Sequence, residues 1–302
     1  MRIVYFGNNP RGAICLKTLI KAKHDVIGVV LHHNTSNPTN SVYQIAKENN
    51  LLVFSPQIVN SQDFCDVLRS LNPDLFILSG YNQIINNNII SIPNLGAINL
   101  HGGRLPNYKG GSPINWQIIN GETEGACTIL FVDEGIDTGD IICEESFSIG
   151  PNETAGEIQE KVLQIFPSLL LIVLDQIKEG TVEFKKQNHL DGIYYCKRYP
   201  SDGYINWQQL NAVQIHNLVR GLNGPNLPGA FTYLNDQKIT VWRTKLIEEA
   251  IKGVPGRIAL KKPEGVVVIA KDKGILITEI LDSTNAIVRP HDILKIKGWA
   301  FK

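Results

Sequence analysis

The sequence predicts an α/β protein, with an open, mostly parallel sheet followed by a smaller all-β domain. Strand and helix signals alternate over the first 150 of its 302 residues. Two of the strand signals, Ile3–Phe6 and Leu75–Leu78, are continuous apolar runs, as expected of strands buried on both faces. After Gly180 the texture changes to short strand signals between turns.

Each element has a local reason. Ile3–Phe6 opens the sheet, and Pro10 to Lys23 carries Ile14, Leu16, Leu19 and Ile20 at helical spacing. Asp25–Leu31 reads as a strand. Asn40-Ser41 can cap a helix through Glu48, and Ser61 one ending near Leu71. Leu51–Phe54, Leu75–Leu78 and Ala97–Leu100 supply further strands, completing the β-α-β-α rhythm of a parallel sheet. Cys127–Val132 and Ile141–Ile149 are strand signals, and Thr154–Lys178 is a long amphipathic helix that Pro167 should kink or split. Ala212–Leu222 is the one good helix of the last third, closed by Gly224-Pro225. Beyond it Ala230–Tyr233, Lys238–Trp242, Gly256–Leu260, Gly265–Ala270 and Gly274–Glu279 suggest a small barrel. The boundary falls at about 185–200, dividing residues 1–190 from residues 200–302.

Composition narrows the function. Hydrophobic residues make up 43% and charged residues 19%, enough apolar side chain for a real core. The 29 basic and 29 acidic residues cancel, which argues against a surface given over to nucleic acid. The sum hides a split: residues 1–190 hold 13 basic and 19 acidic side chains, residues 191–302 hold 16 and 10. The cysteines Cys15, Cys65, Cys127, Cys143 and Cys196 form no C-x-x-C pair, so buried thiols in a reducing compartment are expected. Residues 1–8 lack the basic and apolar regions of a signal peptide, and the apolar stretch Leu169–Leu174 is far short of a membrane span. A cytoplasmic protein without a membrane partner is therefore expected, and the sequons at Asn34 and Asn152 are read as chance.

Several motifs lack the residues their chemistry would need. Gly7-Asn-Asn-Pro-Arg-Gly12 is neither a dinucleotide fingerprint nor a Walker loop. As a helix entry it could contact a phosphate or a sugar, or be a plain strand–helix turn. His32-His33 lacks a third ligand at metal spacing and reads as solvated loop histidines. No G-x-S-x-G elbow is present. His189, His216 and His291 stand alone and read as structural.

The segment with chemistry runs from Asn99 to Pro113: Asn-Leu-His-Gly-Gly-Arg-Leu-Pro-Asn-Tyr-Lys-Gly-Gly-Ser-Pro. It begins at the C-terminal end of a strand, where open α/β sheets place their sites. Asn99 and His101 are two apart and so share a face. Gly102, Gly103, Gly110 and Gly111 leave room beside the backbone, and Pro106 and Pro113 stiffen the loop. Downstream lies Asp133-Glu-Gly-Ile-Asp137-Thr-Gly-Asp140, without the EF-hand pattern. An amide, an imidazole and a carboxylate without a nucleophilic Ser or Cys suit direct acyl transfer to an amine. The amide donates to the developing oxyanion, the imidazole accepts the proton, and the carboxylate orients it. Read without further context, Asn99 and His101 are better taken as a core pair supporting a loop.

The run Asn99 to Trp116, with Gly121-Glu-Thr-Glu and Asp137-Thr-Gly-Asp-Ile, resembles the folate-dependent formyltransferase family. That family includes methionyl-tRNA, glycinamide ribonucleotide and nucleotide-sugar formyltransferases. Its hallmark is an Asn-x-His at a strand end, a Leu-Pro-x-Tyr/Phe-Lys/Arg-Gly loop, and an Asp about 36 residues past the His. The resemblance implies 10-formyltetrahydrofolate as donor, with Asn99, His101 and Asp137 as the catalytic set and no metal. It implies folate contacts at Gly80, Tyr81, Asn82, Gln83 and Ile84, and at Asp133, Gly135, Ile136 and Asp140. Acceptor contacts are expected at Asn8, Asn9, Gly102, Gly103, Arg104, Tyr108 and Lys109.

The last third, with Arg198 to Trp207, Ile215 to Leu222 and Pro228 to Tyr233, is similar to the second domain of the tRNA enzymes. It is more similar to the formyltransferase domain of the bifunctional enzyme that modifies UDP-4-amino-arabinose. In those relatives the first domain is Rossmann-like and the second is an OB-like barrel. Gly102-Gly-Arg-Leu-Pro106 departs from the Ala-Ser-Leu-Leu-Pro usual in the tRNA enzymes, and Asn115-Trp116 matches the sugar enzymes better. Asn8-Asn9-Pro10 also lacks the tRNA pattern. A protein other than that bifunctional enzyme, without a second enzymatic domain, is expected. The expected activity is thus a stand-alone N-formyltransferase acting on a nucleotide-linked 4-amino-4,6-dideoxy-type sugar for O-antigen or other surface glycans. The partners expected are that sugar nucleotide and the folate rather than nucleic acid, with a homodimer left open. Methionyl-tRNA formylation is the alternative, with the basic last third as its phosphate-contacting face. A non-catalytic nucleotide-binding role is disfavoured by the intact Asn99, His101 and Asp137. Tyr81, Trp116, Tyr194 or Trp207 could stack on a base or pack in the core.

Overall fold

The computed structural model describes residues 1–36, 39–188, 190–282, 284–293 and 300–301; His189 lies outside them. In chain order the first elements are β1 (Arg2–Gly7), α1 (Asn9–Lys21), β2 (Asp25–Val30), α2 (Ser41–Glu48) and β3 (Val53–Phe54). Then come α3 (Gln62–Ser70), β4 (Leu75–Ser79), α4 (Asn87–Ile90), β5 (Ala97–His101), β6 (Lys109–Gly110) and α5 (Pro113–Ile119). They are followed by β7 (Glu124–Phe131), β8 (Ile141–Ser148), α6 (Ala155–Glu179), β9 (Tyr194–Tyr195) and α7 (Ala212–Gly221). The last strands are β10 (Ala230–Leu234), β11 (Gln237–Leu246), β12 (Ile258–Lys262), β13 (Gly265–Ile269), β14 (Gly274–Leu281) and β15 (Ile287–Val288).

The chain forms two compact units. One comprises Met1–Gly110, Gly125–Phe147 and Glu160–Tyr195; the other comprises Gly111–Glu124, Ser148–Gln159 and Cys196–Lys302. The second unit thus takes two segments from the N-terminal stretch. One of them contains α5, which is not among the expected elements. Pro113 begins that helix, where its missing N–H and fixed φ cost nothing.

The first unit is built on a seven-stranded sheet in the order β3-β2-β1-β4-β5-β7-β8. Pairing is parallel from β3 to β5 and turns antiparallel at β5–β7. Central strands β1 and β4 are buried on both faces, which is why their sequences show no polar alternation. On one face Phe64, Cys65 and Leu68 of α3 pack against Val4, Phe6, Phe76 and Leu78. The expected caps are present: Asn40 accepts from the Val42 and Tyr43 amides, and Ser61 from that of Phe64. α6 runs unbroken for 25 residues through Pro167, so the expected split does not occur. Its buried positions Ile158, Val162, Phe166, Leu169, Leu170, Val173 and Leu174 keep a helical stripe across the proline.

The second unit holds an antiparallel sheet ordered β10-β11-β14-β13-β12, with β15 on β14. No pairing of β10 with β12 is present among the described residues. α7 packs on this sheet through Ile215, Leu218, Val219 and Leu222. Its N-terminus is closed by a reciprocal Asn211–Gln214 capping box. Asn115 of α5 donates to the Gly221 carbonyl at 2.6 Å, in line with the burial of its side chain. Gly156 and Gly224 meet backbone to backbone, a contact that side chains would prevent. His216 is structural as expected, bridging Thr244 Oγ1 at 2.9 Å and the Pro151 carbonyl at 3.0 Å.

No helix among the described residues is long and apolar enough to cross a membrane. Cys15, Cys65 and Cys127 are buried and Cys143 is half-buried, but Cys196 is exposed. Burial pushes the thiols of Cys15 and Cys143 up to about 11 and that of Cys127 to about 12. Only the thiolate reacts, so a native disulfide-exchange titration at about pH 8 should show Cys196 reacting first. Equal rates at Cys196 and Cys127, read by mass spectrometry of labelled peptides, would contradict this burial pattern.

Candidate active site

β5 sets the site. Its alternation puts Asn99 and His101 on one face, and pairing with β7 sets Asn99 opposite Leu130 and His101 opposite Thr128. After β7 the Asp133–Asp140 loop folds back so that Asp137 lies across that face. Two donors and one edge of the His101 ring converge on its carboxylate. Asn99 Nδ2 reaches Oδ1 at 3.1 Å, the Gly110 amide reaches Oδ2 at 2.9 Å, and His101 Nδ1 lies 3.4 Å from Oδ2. The side chains of His101 and Asp137 are 6% and 10% exposed, so water screens this pairing little.

The loop is held by its own polar groups. Asp133 Oδ1 accepts from the Gly135 amide at 3.1 Å and from Thr138 Oγ1 at 2.7 Å. Asp137 has φ of 54°, a left-handed conformation that Asp tolerates better than most residues. Gly139 lies so close to the Phe131 carbonyl oxygen that a Cβ would collide with it. Gln187, not singled out in the sequence, donates through Nε2 to the carbonyls of Asp137 at 3.1 Å and Gly139 at 2.6 Å. It arrives there because Lys185 bridges Ile141 at the start of β8.

His101 Nε2 is 2.6 Å from the Tyr108 carbonyl oxygen, which can only accept. This assigns the Nε2 proton and leaves Nδ1 as the nitrogen whose protonation can change. Asn99 spends one amide hydrogen on Asp137 and retains a second. The arrangement therefore offers one N–H donor, one proton acceptor, and a carboxylate that stabilises the acceptor once charged.

The other expected contact residues fall into two groups. In the β4 segment, Gly80 has φ of 69°, and a Cβ there would meet Asn9 and the Asn8 carbonyl. Tyr81 is core, edge-on to Phe6 at 5.4 Å, and its hydroxyl donates to Gln83 at 2.7 Å. Asn82 is exposed, and Ile84 and Ile136 display apolar side chains at 63% and 38% exposure. Asp140 closes the loop, its carbonyl accepting from the Phe131 amide at 2.9 Å.

Among the expected acceptor contacts, most polar groups are engaged within the unit. Asn8 is buried between His32 and Asn40, and Asn9 accepts from the Arg11 and Gly12 amides. His32 is half-buried rather than solvated: beyond Asn8 it accepts from the Asn82 amide at 2.9 Å and lies 4.7 Å from the Tyr81 ring. Gly102 and Gly103 are buried, and the Gly103 carbonyl accepts from Thr128 at 2.8 Å. Arg104 reaches Ser146 at 3.1 Å and Glu144 at 3.9 Å. Tyr108 stacks on Tyr195 at 5.1 Å, and buried Lys109 donates to the Asp191 carbonyl at 2.8 Å. Of the candidate stacking aromatics, Trp207 is core, donating to Thr232, and Trp116 donates to the Cys196 carbonyl beneath the Arg198 guanidinium. Tyr194 is 56% exposed.

Comparison with known proteins places the chain in a family. Residues 1–174 match the formyl transferase family model and residues 198–298 match that of the formyl transferase C-terminal domain. The chain belongs to the formyl transferase family. It is 36% identical to methionyl-tRNA formyltransferase of Clostridioides difficile, over 93% of this chain and 92% of that protein. The fold is similar to that of WlaRD, a sugar 3N-formyl transferase solved with dTDP and 5-N-formyl-THF. The TM-score is 0.67 at 22% identity, covering 94% of this chain and 98% of that one. It is equally similar to an N-formyltransferase of Helicobacter canadensis solved with folinic acid and dTDP-3-aminofucose. There the TM-score is 0.67 at 21% identity, over 91% and 98% of the two chains.

The loop geometry is testable. Gly139→Ala forces its methyl group onto the Phe131 carbonyl and should destabilise the protein by roughly 1–3 kcal/mol, read by urea unfolding. A midpoint unchanged from the parent would show that the loop does not need this close approach.

Proposed function

We propose that this chain transfers a formyl group from 10-formyltetrahydrofolate to the amine of a nucleotide-linked 4-amino-4,6-dideoxy-type sugar, for surface glycan synthesis. The observation that carries the reaction is the convergence of Asn99, His101 and the Gly110 amide on Asp137. The bound folate supplies a formyl group already activated as an amide, so no nucleophilic Ser or Cys is needed. The donor set fits this group. The second Asn99 N–H is available to a carbonyl oxygen gaining charge, and exposed Ile84 and Ile136 offer apolar surface to a flat ring. His101 Nδ1 would take the proton that the attacking amine loses as its nitrogen bonds the formyl carbon, and would return it to N10 of the departing tetrahydrofolate as the formyl C–N10 bond breaks. Asp137 Oδ2 then faces an imidazolium, and the Tyr108 carbonyl keeps the ring from turning.

For the acceptor, the distribution of charge supports a small molecule. The catalytic unit carries 13 basic and 16 acidic side chains. The cations that follow His101 are engaged internally, Arg104 with Glu144 and Ser146, and Lys109 with the Asp191 carbonyl. Recognition of a polyanion rests on several cations neutralising phosphates, and these two are already engaged. The second reading is methionyl-tRNA formylation. It is favoured by the 36% identity to a methionyl-tRNA formyltransferase and by the basic residues 191–302.

His101→Asn and Asp137→Asn should each lower kcat by at least roughly 100-fold while sugar-nucleotide binding is largely retained. Steady-state kinetics with calorimetric binding checks this, and near-normal turnover in either variant would end the assignment. The acceptor is decided by thermal-shift titration with UDP-, dTDP- and GDP-linked 4-amino sugars and with initiator tRNA, each with 5-formyltetrahydrofolate present. A saturable rise with one sugar nucleotide is the expected result. Formylation of initiator tRNA, with binding that weakens steeply as salt rises, would instead establish the second reading.

A further inference from the structure

We infer that Gln187 is a positioning residue that holds the Asp137 carboxylate in its working orientation. The inference rests on the role proposed above for Asp137 and extends it to a residue on a different segment of the chain. Asp137 occupies a left-handed backbone conformation, so its own torsional preferences do not hold it there. From in front, its carboxylate is gripped by Asn99 and the Gly110 amide. From behind, Gln187 Nε2 donates to the carbonyls of Asp137 and Gly139, which flank the turn. Both hydrogens of one amide nitrogen are thereby spent on the backbone that sets the direction of the carboxylate.

The Gln187 oxygen shows what the arrangement sacrifices. Oε1 is enclosed and has no hydrogen-bond partner among the described residues. Turning the amide over would place that oxygen against two carbonyls, so the orientation is locked by repulsion as well as attraction. A buried acceptor left unpartnered is a standing cost, tolerated here together with the left-handed Asp137. The Ile141–Lys185 bridge, with its two backbone hydrogen bonds of 2.9 and 2.7 Å, fixes the approach of Gln187 to the loop. Loss of the Gln187 donor would free the Asp137–Gly139 backbone to relax toward ordinary φ values. The carboxylate would then move away from His101 Nδ1, and the imidazolium would lose its counter-charge.

The test is a double-mutant cycle on the full chain, with Gln187→Met as an apolar replacement of similar length. Expected is a fall in kcat of at least roughly tenfold, with KM for folate and acceptor each within about threefold. In the Asp137→Asn background the same change should cost less than about twofold more, because the group it positions is already disabled. An equal factor in both backgrounds, or turnover within twofold of the parent, overturns the inference. Should Gln187→Met fold poorly, Gln187→Asn withdraws the amide by one methylene and is judged on the same cycle. Full activity in Asp137→Asn alone would instead remove the proposed role of Asp137, a failure distinct from that of Gln187.

Discussion

A half-buried carboxylate organises the catalytic unit. Asp137 receives an amide from Asn99, a backbone N–H from Gly110 and the facing edge of the His101 ring, while the carbonyl of the same residue is tied down by Gln187. Removed from water, the carboxylate needs such donors to satisfy its oxygens. These donors come from β5 and from the end of the loop after it, and the backbone that carries the carboxylate is tied to the segment beyond α6. Meeting this one group's requirement therefore fixes several parts of the chain against each other.

The same requirement explains features that look unfavourable one by one. Asp137 is left-handed, Gly139 leaves no room for a Cβ, and His101 is held by the Tyr108 carbonyl at short range. Each is tolerated because it turns a polar atom toward Asp137 or keeps the imidazole edge-on to it. In the proposed chemistry such preorganisation matters more than raw acidity. No group has to be made strongly nucleophilic, and charge has to be met only as it develops.

Much of this was legible in the sequence. The apolar runs of β1 and β4, the caps at Asn40 and Ser61, and the Asn99-x-His101 spacing are local, and each became the expected element. Residues whose roles depend on distant partners were not legible. Trp116 could stack on a base or pack in the core from its sequence, and its indole donates to the Cys196 carbonyl, while Asn115 holds the Gly221 carbonyl of α7. His32 looked solvated, yet it is fastened between Asn8 and Asn82. Gln187 had no signal at all, because a glutamine after a helix carries no periodicity or turn chemistry that marks it.

The sequence by itself determined the class of fold and the residue types that meet at the candidate site. Hydrophobic periodicity, capping and residue spacing act over a few residues and are written directly into the chain. Only the tertiary structure decided which polar atoms remain available. Lys109 and Arg104 are taken up by Asp191, Glu144 and Ser146, and the His101 proton is assigned by a carbonyl seven residues away. Hydrogen bonds and ion pairs have finite valence, and which partners claim it depends on how distant segments are brought together.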